Sequence, residues 1–353
     1  MNHSLGQGIG RRIGRRKFIQ HLAMLGVGSQ AFLRSGNLRA AVLEARESAG
    51  FGSAWPPMTY RTLGRTGYDA SRLIFGCGAT LMSGRNDELL NAAFDAGINI
   101  FDSGTSRYYD DAERNLAPFL KTHRDDVFLI SKAMVYLDVE PDEAITVVQA
   151  RQAAQTWTEL MNQSLKELQV DGVDAYYLMG SNNPHVVSSE EIYNAFQRAK
   201  QAGKVRFLGL SSHQNAQKVL ETAIDTGWYD LTMLAITPGG WYDWKERSIL
   251  PGSPPMVELQ PLLARAREAG IGLIGMKAGR FLAGRRFLGW GNPEAFDQYY
   301  DESLLKARLS AFQRSYAFVL EHGMDAVNAD MQNFVHLKEN FIAAATSHRH
   351  FVA

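Results

Sequence analysis

Asp102, Lys132 and the pair Tyr108-Tyr109 are the residues whose types and spacing could do chemistry. Asp102 closes the short run Gly97-Ile98-Asn99-Ile100-Phe101, and Lys132 closes Val127-Phe128-Leu129-Ile130-Ser131. Two consecutive strands of a parallel sheet would carry such residues side by side at their carboxyl ends, where α/β enzymes do chemistry. A phenol titrates near about 10. A nearby ammonium favours the phenolate and lowers that value, while a carboxylate keeps the lysine charged and in place. The pattern therefore predicts a tyrosine tuned to donate a proton. A buried Asp-Lys ion pair beside a core tyrosine accounts for the same residues without catalysis.

Positioning those residues needs a regular alternation of strands and helices, and the chain has one after Trp55-Pro56-Pro57. Short apolar runs at 72–76, 99–102, 127–132, 175–179, 206–211, 231–236, 272–277 and 326–328 read as strands. Between and after them lie helix candidates near 86–96, 112–122, 152–169, 189–202, 214–226, 256–269, 304–322 and 333–345. Leu160, Met161, Leu165 and Leu168 form one apolar stripe of the third. Ala96-Gly97, Ala202-Gly203 and Ala269-Gly270 place glycine where a left-handed helix cap needs it, just before the next strand. Eight strand-then-helix units predict an α/β protein with a closed (β/α)8 TIM barrel; an open doubly wound sheet is the alternative. No Gly-x-Gly-x-x-Gly follows any strand, which argues against a Rossmann half. No zinc-ligand spacing and no nucleophile elbow occurs, so no metal site is expected.

Of the 353 residues, 45% are hydrophobic and 21% charged, an ordinary globular balance. A single cysteine, Cys77, excludes an intramolecular disulfide. The net charge of zero is unevenly spread. Residues 1–40 hold seven Lys/Arg and no acid, leaving 30 basic against 37 acidic residues in the rest. A body that acidic is a poor nucleic-acid partner. Arg15-Arg16-Lys17-Phe18-Ile19 precedes a short apolar run from His21 to Leu33, and Ala40-Ala41 offers small residues for cleavage. Residues 1–41 thus read as a signal of the twin-arginine type, an address read by the export machinery. The run is too short and interrupted to span a bilayer, so no stable membrane insertion is expected after processing. The expected organisation is signal 1–41, linker 42–58 and barrel 59–353, with a periplasmic or otherwise exported destination.

Laid on that barrel, the motifs resemble the aldo-keto reductase family. Tyr60-Arg61-Thr62-Leu63-Gly64-Arg65-Thr66-Gly67 is similar to the family's opening β-hairpin, and Phe75-Gly76 to the end of its first strand. Gly97 to Asp102 is similar to the second strand, Phe128 to Lys132 to the lysine strand, and Tyr109-Asp110-Asp111-Ala112-Glu113 to the Tyr-Gly-x-Ser-Glu run. The resemblance makes Asp102, Tyr109 and Lys132 the catalytic candidates, with Tyr108 a competitor for the acid. It also implies a nicotinamide cofactor, NADP or NAD, held by Ser211 and Ser212 after strand five. Met276 and Lys277 after strand seven, and Glu339 and Asn340 on the last helix, complete the cofactor set. A small-molecule carbonyl is the implied substrate.

Departures from the family pattern are specific. Met179 stands where the family has its catalytic histidine, and a thioether cannot donate a hydrogen bond. His185 and His213 lie on nearby loops and could substitute. Met233 replaces the usual glutamine of strand six and Ser212 the usual asparagine of strand five. Asp330-Met331-Gln332 stands where a 2′-phosphate is often gripped, and an aspartate there would repel it. Trp241, Tyr242 and Trp244 after strand six could wall the substrate, or simply pack the loop. The expectation is an exported oxidoreductase moving hydride between a nicotinamide cofactor and a carbonyl or alcohol. The alternative is a cofactor-binding barrel with weak or no reductase activity.

Overall fold

A computed structural model describes residues 55–283 and 291–351. The segment 1–41 read as an export signal lies outside the described residues, as does most of the expected linker. Its last residues, 55–58, pack onto the barrel: Met58 is buried, and the Trp55 and Phe341 rings lie 5.0 Å apart.

The chain opens with the antiparallel hairpin β1 (Tyr60–Thr62) and β2 (Asp69–Ser71), in which Arg61 pairs with Ala70. Eight parallel strands follow: β3 (Leu73–Gly76), β4 (Ile100–Asp102), β5 (Phe128–Met134), β6 (Val173–Met179), β7 (Val205–Ser212), β8 (Leu231–Thr237), and, after an inserted hairpin, β11 (Gly272–Met276) and β12 (Ala326–Asp330). Each pairs with the next, and β12 pairs back onto β3, closing the (β/α)8 barrel. The hairpin β9 (Gly240–Asp243) and β10 (Ser248–Ile249) rises from the end of β8. Trp241 and Tyr242, expected in a loop, are therefore buried strand residues.

The barrel's outer layer is built from α1 (Asp87–Asp95), α2 (Ala112–His123), α3 (Val147–Leu168), α4 (Glu190–Gln201), α5 (Ala216–Thr226), α6 (Gln260–Glu268), α7 (Ala311–Glu321) and α8 (Phe334–Thr346). α3 begins five residues before the expected start, because Thr146 and Gln149 form a reciprocal capping box. Its first turn exposes Val147 and Val148, so no apolar stripe announces it. The expected helix at 304–322 is two pieces. Glu302–Lys306 stops at an extended Ala307, and the Ser310–Gln313 capping box starts α7 afresh. Among the described residues, no helix is long and apolar enough to cross a membrane.

Side chains alternate across each strand, which divides the apolar residues into two cores. Ile74, Ile100, Phe128, Ile130, Ala175, Tyr177, Met233, Ala235, Ile274 and Ala326 fill the barrel interior. Phe75, Phe101, Leu129, Tyr176, Leu178, Leu210 and Leu234 face the helices. Leu63, Ala70 and Tyr68 from the hairpin region join the interior cluster.

Candidate active site

The same alternation decides what faces the barrel mouth. Two residues beyond Ile100 is Asp102, beyond Ile130 is Lys132, beyond Tyr177 is Met179, and beyond Ala326 is Asn328, so all four share the inward parity at the carboxyl ends. Register brings them level, with Asp102 opposite Ile130 and Met134 opposite Met179. Lys132 Nζ donates to Asp102 Oδ1 at 2.5 Å and to the Ser103 carbonyl at 2.5 Å. Asn328 Nδ2 donates to the other Asp102 oxygen, Oδ2, at 2.5 Å and lies 3.3 Å from Met233 Sδ. Both members of the ion pair are buried. Burial raises the Asp102 pKa above the ordinary carboxylate value, against the lowering pull of Lys132 and Asn328.

Tyr109 ends the short helix Ser106–Tyr109, which Thr105 caps. Its ring occupies a slot between two glycines. A Cβ added at Gly78 would stand 2.6 Å from Tyr109 Cδ1, and one at Gly104 would stand 3.1 Å from Cδ2 and 3.6 Å from Lys132 Cβ. The slot selects between the tyrosines. Tyr109 enters the pocket with Asp102 and Lys132, whereas Tyr108 is 41% exposed and faces an outer cleft, its ring edge-on to Tyr109 at 4.8 Å.

The expected lowering of the tyrosine pKa does not occur. Burial pushes the Tyr109 hydroxyl well above 10, and the negative charges of Asp330 and then Asp102 raise it further. The Lys132 ammonium is already engaged by Asp102 and the Ser103 carbonyl. Tyr109 is therefore a neutral phenol throughout the physiological range, able to donate a proton. Its hydroxyl makes no hydrogen bond to a described residue.

Asp330 also faces this pocket. It has the inward parity of β12 and lines the pocket with Tyr109, so its charge acts on the phenol. Met331 is fully buried and Gln332 exposed.

Behind Lys132, Glu113 accepts a hydrogen bond from Ser131 Oγ at 2.5 Å, and burial pushes its carboxyl up to about 7. This outward-facing contact braces the lysine strand from the helix side.

The pocket over Tyr109 encloses about 40 Å³ and is also bordered by Ser211, His213, Met276 and Lys277. It adjoins a cleft of about 480 Å³ lined by Tyr108, Leu137, Leu178, Ser181, Gln214 and Trp244, among others. Lys277 adopts a left-handed backbone (φ 66°), and its ammonium lies 4.4 Å from the Trp244 ring centroid. Burial lowers its pKa. Trp244 is thus the aromatic residue of the β8 insertion that borders open space.

The residues expected to hold a cofactor are brought together only in part. Ser211, Met276 and Lys277 border the pocket. Ser211 Oγ accepts from the Gly180 N–H at 3.1 Å and keeps its own proton to donate. Ser212 faces out of the barrel and donates to the Gln214 carbonyl at 2.6 Å. Glu339 accepts from Ser310 Oγ at 2.5 Å, while the Asn340 amide makes no hydrogen bond to a described residue. A hydroxyl donor, an ammonium and an uncommitted amide suit the carboxamide, hydroxyl and phosphate groups of a dinucleotide. At the ring end the donor set fits. His185 lies on the short helix Pro184–Val187 and does not border the inner pocket, whereas His213 does.

Gly78, Gly104, Ser103 and Asn328 were not anticipated as parts of the site. The pair Gly76-Cys77-Gly78 at a strand end was a readable signal for close approach. Asn328 carried no signal, since its partner Asp102 is 226 positions away.

Comparison with known proteins fits this geometry. Residues 83–249 match the model of the Aldo/keto reductase family. Over that stretch, just under half of its length, the chain is similar to that family. The match spans β4 to β10 and so includes Asp102, Tyr109 and Lys132. A curated relative, the uncharacterized oxidoreductase YqkF of Bacillus subtilis, is 29% identical over 166 residues, 44% of this chain. The chain spans about half, 49%, of that relative's length. Among solved structures, the aldo-keto reductase AKR11C1 of Bacillus halodurans, in its holo form, superposes with a TM-score of 0.57 at 21% identity. That match covers 83% of this chain and 95% of the other, and it shows the shared barrel fold.

Proposed function

We propose that this protein is an exported oxidoreductase of the aldo/keto reductase family, acting on a small carbonyl or alcohol with NADP or NAD. The observation that carries this reading is the inward-facing group of Tyr109, Lys132 and Asp102 at the carboxyl end of the barrel. Ser211, Met276 and Lys277 would hold the nicotinamide end, with Asn340 and Glu339 toward the last helix. Bound there, the cofactor would give or accept the hydride. In reduction, Tyr109 donates its phenolic proton to the substrate oxygen. Lys132, fixed by Asp102 and Ser103, borders the same pocket and would stabilise the phenolate left behind. Asn328 holds the second oxygen of Asp102, so the carboxylate cannot turn away from the lysine.

The test is reduction of simple aldehydes by the purified protein with NADPH or NADH. Tyr109→Phe should lower single-turnover reduction by about 10²–10⁴-fold, the usual cost of losing a general acid, while Tyr108→Phe should leave most of it. Equal activity in wild type and both variants overturns the assignment.

Export rests on the acid-free first forty residues and on Arg15-Arg16-Lys17-Phe18-Ile19. Lysine keeps the charge but loses the planar guanidinium. Changing both Arg15 and Arg16 to lysine should leave the precursor in the cytoplasm, measured by fractionation; unchanged export sinks this part.

A further inference from the structure

We propose that His213, at the end of β7, supplies the hydrogen bond to the substrate oxygen that Met179 cannot give. The inference rests on the reductase reading above and adds a catalytic residue to it.

Two cavities meet at the barrel mouth. The inner one holds Tyr109, Lys132 and Asp102; the outer one is the roomier cleft that a substrate body can occupy. Among the described residues, Met179 and His213 alone border both. A carbonyl oxygen that reaches Tyr109 from the cleft past this shared border comes near these two side chains. The Met179 thioether offers no donor. The His213 imidazole does, and neither ring nitrogen is hydrogen-bonded to a described residue.

The other donors around the inner pocket are committed or set apart from the cleft. Lys132 serves Asp102 and Ser103, and Asn328 serves Asp102. Ser211 borders the inner pocket and not the cleft, and the Lys277 ammonium is engaged against the Trp244 ring, 4.4 Å from its centroid.

His213 is also held in place. Its backbone N–H donates to Asn182 Oδ1 at 3.3 Å, and its carbonyl accepts from the Trp244 N–H at 3.4 Å. The same Asn182 oxygen accepts from the Gln214 N–H, which ties the whole turn to the end of β6. The ring lies 6.0 Å from that of Trp244. Burial, then Lys277 and Lys132, lower the imidazole pKa to about 3. At neutral pH the ring is uncharged and keeps one N–H to donate, which is the form a carbonyl oxygen needs.

The test compares His213→Phe, His213→Gln and Met179→His with the double variant Met179→His/His213→Phe. Single-turnover reduction of an aldehyde and fluorescence titration of NADH and NADPH are measured on each. His213→Phe should lose on the order of 10²-fold in rate, the usual cost of one oxyanion donor, with cofactor affinity unchanged. Glutamine, which retains an N–H donor, should recover part of the loss. Met179→His should add little to the wild type but should restore the His213→Phe protein, because it returns a donor to the same junction. A merely structural histidine would not be rescued from position 179. His213→Phe at wild-type rate, with Tyr109→Phe inactive, overturns the proposal and leaves the reductase reading standing. A wild type without turnover overturns both.

Discussion

The two ends of the barrel use polar residues in opposite ways. At the amino-terminal end, carboxylates stitch neighbouring strands together. Asp174 accepts from the Leu129 N–H, Arg124 and Arg206 at 2.9, 3.0 and 2.7 Å. Asp230 accepts from the Leu208 N–H and Arg65, and Asp325 from the Leu273 N–H with Arg61 and Arg267 nearby. At the carboxyl end, the half-buried Tyr109 hydroxyl and His213 ring nitrogens make no hydrogen bond to a described residue, and neither does the buried Ser181 Oγ. Unpaired buried polar groups cost stability, so a fold keeps them where a ligand will pair them. One end of the barrel uses its polar groups to hold strands in register; the other leaves several without a hydrogen bond to a described residue.

The largest expected effect that sharpens this contrast lies at the stitched end. Asp174→Ala leaves a buried N–H and two arginines without their acceptor, and should cost about 2–4 kcal/mol in denaturant unfolding. Asp174→Asn, which keeps an oxygen for Leu129, should cost less. Reduction per folded molecule should stay unchanged in both. A fall in turnover with stability intact would dissolve the division between the two ends.

A pH experiment probes the open end. The folded protein lowers the His213 pKa to about 3, through burial and then Lys277 and Lys132, while the unfolded chain titrates near 6.5. The neutral ring's contribution is therefore complete above about pH 6.5 and is lost progressively as pH falls toward 3. Between pH 7.5 and 5 this amounts to roughly 2 kcal/mol. His213→Gln should lose that much less stability over the same interval, read from unfolding curves at the two pH values. An identical acid limb in both proteins would mean that His213 charges freely.

The smallest effect concerns the slot. Gly78→Ala places a methyl against one face of the Tyr109 ring while Gly104 and Lys132 stand on the other. Overpacking of this kind costs about 1–3 kcal/mol. The ring should be displaced and single-turnover reduction should fall about tenfold. An unchanged rate would show that the slot is looser than its spacing indicates.

Much of the barrel was legible because its rules are local. Strand runs, helix periods and glycine caps are written within a few residues of one another, and all eight barrel strands lie where their apolar runs predict them. Period-two alternation also placed Asp102 and Lys132 at adjacent strand ends. Helix starts were harder where caps, not stripes, decide them, as at Thr146 and Ser310.

What only the tertiary structure decided depends on residues far apart in the chain. The choice between Tyr108 and Tyr109 is made by Gly78, which arrives from another strand end. The sign of the Tyr109 pKa shift is set by burial and by Asp330, more than two hundred positions away, and it reverses the expectation drawn from Lys132 alone. The chain by itself determined the fold class and placed Asp102 and Lys132 at adjacent strand ends. It could not determine which polar groups at the mouth remain unpartnered, because that depends on every strand end meeting in one place, and only the closed barrel brings them there.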